Sequence, residues 1–141
     1  FTQSLLQLRA EHPVFRRRRF FTGQLAPNGL PDIAWLRHDA TLMDADDWRH
    51  NSLRPLAVFL NGAAITEPGL RGEAISDDSF LLLFNPSHEH AAMKLPDGPY
   101  GDSWQLVLDT AIPMGNVGTE SVPGDKPRDV SARSVVVMRR G

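Results

Sequence analysis

Beyond residue 55 the apolar residues arrive in packets of strand length. The runs are LAVFL at 56–60, FLLLF at 80–84, AAMKL at 91–95, WQLVL at 104–108 and SVVVM at 134–138. Each is too short for a buried helix, which needs ten or so residues. Turn chemistry stops them at Asn61-Gly62, at Asn85-Pro86 and at Pro96-Asp97-Gly98-Pro99. Proline fixes φ and lacks a donor, glycine opens positive φ, and Asn or Asp bonds to nearby backbone, so each cluster reverses the chain. Short β-rich runs with turns between them and no helical periodicity predict a mainly β chain folded as an antiparallel β-sandwich.

The runs differ in kind. WQLVL alternates, which puts Trp104, Leu106 and Leu108 on one expected face and makes Trp104 a core residue. FLLLF and VVVM are apolar throughout, as in central strands covered on both faces. DIAWL at 32–36 adds another short extended run, and Asp44 in DADDW is placed to cap a helical turn. The Gly/Pro-rich stretch 112–129 has little apolar content and is expected to be a mobile loop.

The N-terminus follows another rhythm. Phe1, Leu5 and Leu8 lie at i, i+4 and i+7, and Leu6 widens the stripe. Pro13 should end this helix, because it disfavours helical geometry at His12. A helix of about a dozen residues is marginal alone in water and needs a partner surface. The sequence opens at Phe1, already in helical pattern, so the expectation is a piece of something longer.

Next comes HPVFRRRRFFTG, with Arg16 to Arg19 flanked by Phe15, Phe20 and Phe21. Basic residues with aromatics can grip nucleic acid. The net charge is −2 and no nucleic-acid motif accompanies the run. It is better explained as a seam in which the phenylalanines bury and the guanidinium heads reach water or acidic partners over aliphatic stems. The lack of cysteine excludes a disulfide framework and thiolate metal sites. No apolar run approaches the roughly 20 residues of a membrane span, and no signal peptide is evident, so a cytoplasmic location is expected.

Other polar groups read as structural. Asp44, Asp46 and Asp47 lack the glycine and terminal glutamate of an EF-hand loop. His88 and His90 flank Glu89, but zinc needs a third ligand and preferably a fourth. Glu73, Asp77 and Asp78 form a polar lead into FLLLF, without the context that would separate two carboxyl pKa values. No cofactor or metal is expected.

Several segments together resemble the C-terminal end of bacterial glycogen-debranching enzymes of the isoamylase type, in the α-amylase superfamily of glycoside hydrolases. They are Leu-Arg-x-x-His-Pro-x-Phe-Arg at 8–16, Asp-Ile-x-Trp at 32–35, Met-x-x-x-Asp-Trp at 43–48 and Leu-Leu-Leu-Phe-Asn at 81–85. Such enzymes are often assigned to the trehalose pathway. The resemblance implies a last (β/α)₈-barrel helix and linker over residues 1–22 and a C-terminal β-sandwich over 23–141. It implies a parent that hydrolyses α-1,6-glucosidic branch links with an Asp nucleophile and a Glu general acid/base. No motif here matches those residues, so no catalytic residue is carried over and the fragment is expected to be structural.

On this view Phe1, Leu5, Leu8, Phe15, Phe20 and Phe21 pack between domains, and the main partner is the parent's own barrel. Glycogen or a branched α-glucan would be met through the parent. Trp35 and Trp48 are either further interdomain packing or, alternatively, platforms for an α-glucan, since flat aromatics suit the apolar faces of glucose. Without the barrel, the exposed helix stripe should favour self-association. One departure stands out: relatives commonly have Asp-Gly after the DIAW strand, where this chain has Asp39-Ala40, and Ala tolerates positive φ poorly.

Overall fold

A computed structural model describes residues 2–49, 54–66, 68–112 and 120–141. Phe1 and residues 113–119, part of the expected loop, lie outside the described residues. Helix α1 (Thr2–Glu11) leads into a 3-10 turn at Pro13–Phe15. Then follow β1 (Ile33–Arg37), α2 (Ala45–Arg49), β2 (Leu56–Leu60), β3 (Phe80–Asn85), β4 (Ala91–Lys94) and β5 (Ser103–Asp109). The short β6 (Ser121–Pro123), β7 (Pro127–Val130) and β8 (Ser134–Arg140) complete the fold.

Six strands form one sheet in the order β1-β2-β3-β8-β5-β6, and β4 pairs with β7 in a second. Every pairing between these strands is antiparallel. The inner face of the large sheet packs on the small one, with Ala34, Leu36, Phe59, Leu81, Leu83, Trp104 and Met138 against Met93, Leu95 and Val130. This is the expected β-sandwich. A second apolar cluster, around Val58, Leu60, Phe80, Leu108 and Val137, covers the other face of the same sheet. The central position of β3 and β8 explains why their sequences do not alternate: both faces of each are covered.

Two expectations change. Leu108 does not share a face with Trp104 and Leu106, because the β5–β8 register shifts between Leu106 and Leu108. A bulge inserts one residue and re-aims those after it, so Leu108 joins the outer cluster. The stretch 112–129 is not one loop either. Its second half forms β6 and the start of β7, against β5 and β4. Strands this short and polar carry too few apolar residues to register as periodic.

Ala40 keeps the turn that glycine would favour, at φ 67°. Its N–H donates to the Arg37 carbonyl at 3.0 Å, which closes the turn after β1. A Cβ in left-handed geometry costs roughly 1–2 kcal/mol, partly offset by the entropy glycine loses on folding. Ala40→Gly is therefore expected to stabilise the chain by about 0.5–1 kcal/mol, read as a raised urea midpoint.

Candidate functional site

Within the arginine segment, Arg17 turns inward. The Arg17 side chain is almost wholly buried, 5% exposed. Its Nη1 donates to the Ala64 carbonyl at 3.3 Å, and its guanidinium carbon lies 4.3 Å from the centre of the Phe21 ring. Its Nη2 stands 3.8 Å from the Asp32 carboxylate. Asp32 in turn accepts the N–H groups of Thr22 and Gly23, each at 2.7 Å, and the Thr22 hydroxyl at 3.2 Å. A charged run conceals such a residue. Phe15, Arg17 and Phe21 turn inward, whereas Phe20 is 95% exposed.

Burial pushes the Asp32 carboxyl up, but the backbone donors of Thr22, Gly23 and Ile33 and the Thr22 hydroxyl outweigh it and hold the group below its ordinary value of 3.8. A carboxyl lowered by folding contributes stability above its unfolded pKa and loses it as pH falls through the folded value. Stability is thus expected to decline below pH of about 4. Asp32→Asn should flatten that decline in urea titrations at successive pH values.

A second clasp joins the linker to the lead into β3. His12 Nδ1 lies 2.8 Å from Asp77 Oδ1, and Asp77 Oδ2 accepts the Val14 N–H at 3.1 Å. The His12 ring also packs edge-on against Phe80, with centroids 4.8 Å apart, and Phe15 lies 4.6 Å from Phe80. Leu8, Phe15 and Phe21 pack on the outer cluster. Leu5 and Leu6 remain exposed at 38% and 62%. Among the described residues, His12, Asp77 and Asp78 are the one group spaced to hold a metal. Asp77 is already occupied there by His12 and two backbone N–H groups. His88, Glu89 and His90 are exposed, with His88 3.8 Å from Glu89.

The expected tryptophans meet at the edge of the large sheet. Trp35 of β1 alternates with Ala34 and Leu36, which face the core, so it points to the outer side. Trp48 of α2 stands edge-on to it, with centroids 5.2 Å apart and planes at 78°. Both are exposed, at 40% and 55%. Asp44 and Asp47 exchange backbone–carboxylate hydrogen bonds at 3.1 and 2.8 Å, a reciprocal cap that seats α2. Arg37 then ties α2 to β1, reaching Asp44 at 2.9 Å and Asp47 at 2.8 Å. Its hydrogen bond to Asp47 raises the Arg37 pKa further, despite some desolvation. Beside this pair lies a cavity of about 400 Å³ lined by Arg37, His38, Asp47, Trp48 and Leu56 among others. A second hollow of about 570 Å³ adjoins it, and Trp48 and Met43 line both.

Comparison with known proteins matches this architecture. The family described as "Isoamylase, C-terminal" matches residues 32–139. The chain is 42% identical over 142 residues to the glycogen operon protein GlgX homolog of Mycobacterium tuberculosis, covering 99% of this chain and 20% of that protein. It is 22% identical over 126 residues to the isoamylase of Pseudomonas amyloderamosa, covering 89% of this chain and 14% of the isoamylase. The pullulanase from Bacillus acidopullulyticus shares the fold at a TM-score of 0.54 and 19% identity, over 97% of this chain and 13% of the pullulanase. The chain thus spans about a fifth of the length of the GlgX homologs it matches. With the family match extending from the buried Asp32 to Arg139 near the end of β8, this chain belongs to the isoamylase C-terminal domain family, the C-terminal region of isoamylase-type debranching enzymes.

Proposed function

We propose that this chain is the non-catalytic accessory domain of a glycogen-debranching enzyme whose barrel, elsewhere in the longer protein, hydrolyses α-1,6-glucosidic branch links. Residues 1–22 are then the last barrel helix and its linker, and 23–141 the sandwich. The observation that carries this reading is the apolar outer face of the six-stranded sheet. A sandwich needs one apolar face per sheet, yet here Leu56, Val58, Leu60, Phe80, Leu82, Phe84 and Val137 add a second. α1 and the linker cover part of it, through Leu8, Val14, Phe15 and Phe21. Leu5, Leu6 and Phe20 stay exposed, as expected of residues that face another body. That body is the barrel, with Phe1, Leu5, Leu8, Phe15, Phe20 and Phe21 at the seam. The proposed setting is the cytoplasm. Among the described residues, no helix is long and apolar enough to cross a membrane.

The test is release of reducing ends from glycogen. The chain alone is expected to give none above a blank, and the longer protein to release linear chains. Branch hydrolysis by the chain alone would overturn the division of labour. Failure of the longer protein to debranch would overturn the activity. Separately, isolated chain should self-associate in sedimentation through its exposed Leu5 and Leu6.

A second reading, an α-glucan-binding module, is favoured by the exposure of Trp35 and Trp48 beside two adjoining hollows.

A further inference from the structure

We infer that Trp48, Arg37 and Asp47 form the contact groups of an oligosaccharide site on the outer edge of the sandwich, with Trp35 as the prop that holds Trp48 upright. The choice of an α-1,4-glucan as its ligand rests on the α-glucan reading above.

At about 400 Å³ the cavity beside Trp48 is of small-molecule size. Leu56, Pro55 and Met43 give it an apolar lining, and Trp48 contributes an aromatic wall. At the rim a guanidinium and a carboxylate lie side by side, with Arg37 Nε 2.8 Å from Asp47 Oδ2. A pyranose ring matches both features. Its faces present C–H groups that pack on an indole, and its equatorial hydroxyls both donate and accept. Charged planar groups fixed in advance bind such hydroxyls strongly and with little loss of freedom.

Competing ligands fit less well. An anion would have to compete with Asp44 and Asp47 for Arg37, since both already lie within 2.9 Å of it. A purely apolar partner would strip water from that ion pair and return no hydrogen bond. The second hollow selects a chain over a monosaccharide. Because Trp48 and Met43 line both hollows, a run of linked rings can straddle the aromatic wall. Trp35, edge-on at 5.2 Å, resists the rotation of Trp48 that would close either side.

The test uses the chain as it stands, with maltoheptaose and cellohexaose as probes, followed by calorimetry and by the indole N–H signals in ¹H–¹⁵N spectra. Three tryptophans give three signals, and Trp104, fully buried, serves as the internal reference. Maltoheptaose is expected to bind saturably and to shift the Trp48 signal while leaving Trp104 in place. Trp48→Ala should weaken binding by about tenfold or more, the equivalent of roughly 1.4 kcal/mol, and Trp48→Phe should restore part of it. The wild-type spectra decide the matter even if the alanine variant folds poorly. No binding of either sugar, or binding that leaves the Trp48 signal and the Trp48→Ala affinity unchanged, overturns the site. Equal affinity for cellohexaose overturns its assignment to α-glucan. Neither result touches branch hydrolysis by the longer protein, which is measured separately.

Discussion

Trp104→Ala is expected to cost about 4 kcal/mol of folding stability, measured as the loss in urea-extrapolated unfolding free energy. The side chain is fully buried in the inner core. It meets Phe59 edge-on, with centroids 6.4 Å apart, and Phe59 meets Tyr100 at 5.0 Å. Truncation opens a cavity between the two sheets that these rings cannot refill, because the strands that carry them are held by pairing. It also removes a hydrogen bond: Trp104 Nε1–H donates to the Pro96 carbonyl at 2.9 Å, at a buried position. That carbonyl would be left without its partner, which adds a further penalty. For a domain stable by roughly 5–15 kcal/mol, such a loss threatens folding outright. Trp104→Phe keeps most of the volume and should cost less, about 2 kcal/mol, chiefly for the orphaned carbonyl. Equal stability of the alanine variant and the parent chain would show that the inner core is not organised around this residue.

Gly62→Ala is expected to cost about 3 kcal/mol through overpacking. A Cβ at Gly62 would fall 2.2 Å from the carbonyl oxygens of both Asp77 and Asp78. Neither can retreat easily. The Gly62 N–H donates to Ser79 Oγ at 3.1 Å, and its carbonyl accepts the Asp77 N–H at 2.9 Å. Asp77 is held from the other side by His12 and Val14. The strain is thus delivered to the clasp that fastens the linker to the sheet. Alongside a lower melting temperature, trypsin should cut the variant faster at Arg16 to Arg19. A variant with unchanged melting temperature and unchanged cleavage would mean that the 77–78 segment yields freely.

Much of the site is legible in the amino-acid string. Asp44 reads as a cap, and it does cap α2. Trp35 and Trp48 stand out as candidate platforms, and they meet. The Asp-Ala turn reads as an awkward one, and Ala40 does adopt left-handed geometry. Arg17 is not legible as the buried member of its run. The pattern Arg-Arg-Arg-Arg is the same whichever guanidinium turns inward, and only Asp32, Ala64 and Phe21, brought up by the fold, select it. Nothing in sequence pairs Asn28 with Asn61 either, yet their amides exchange hydrogen bonds at 3.0 and 2.9 Å.

Where the main strands lie, and that they pack as a sandwich, follow from the chain's own order of residues, because apolar run length and turn chemistry are local properties. The family follows from it too, because spaced motifs survive as strings. Which face each residue serves is set in three dimensions. Leu108 turns outward because a bulge shifts β5 against β8, and β6 and β7 form from polar stretches because neighbouring strands supply partners. Facing is a property of pairing, and pairing joins residues that are far apart in the chain.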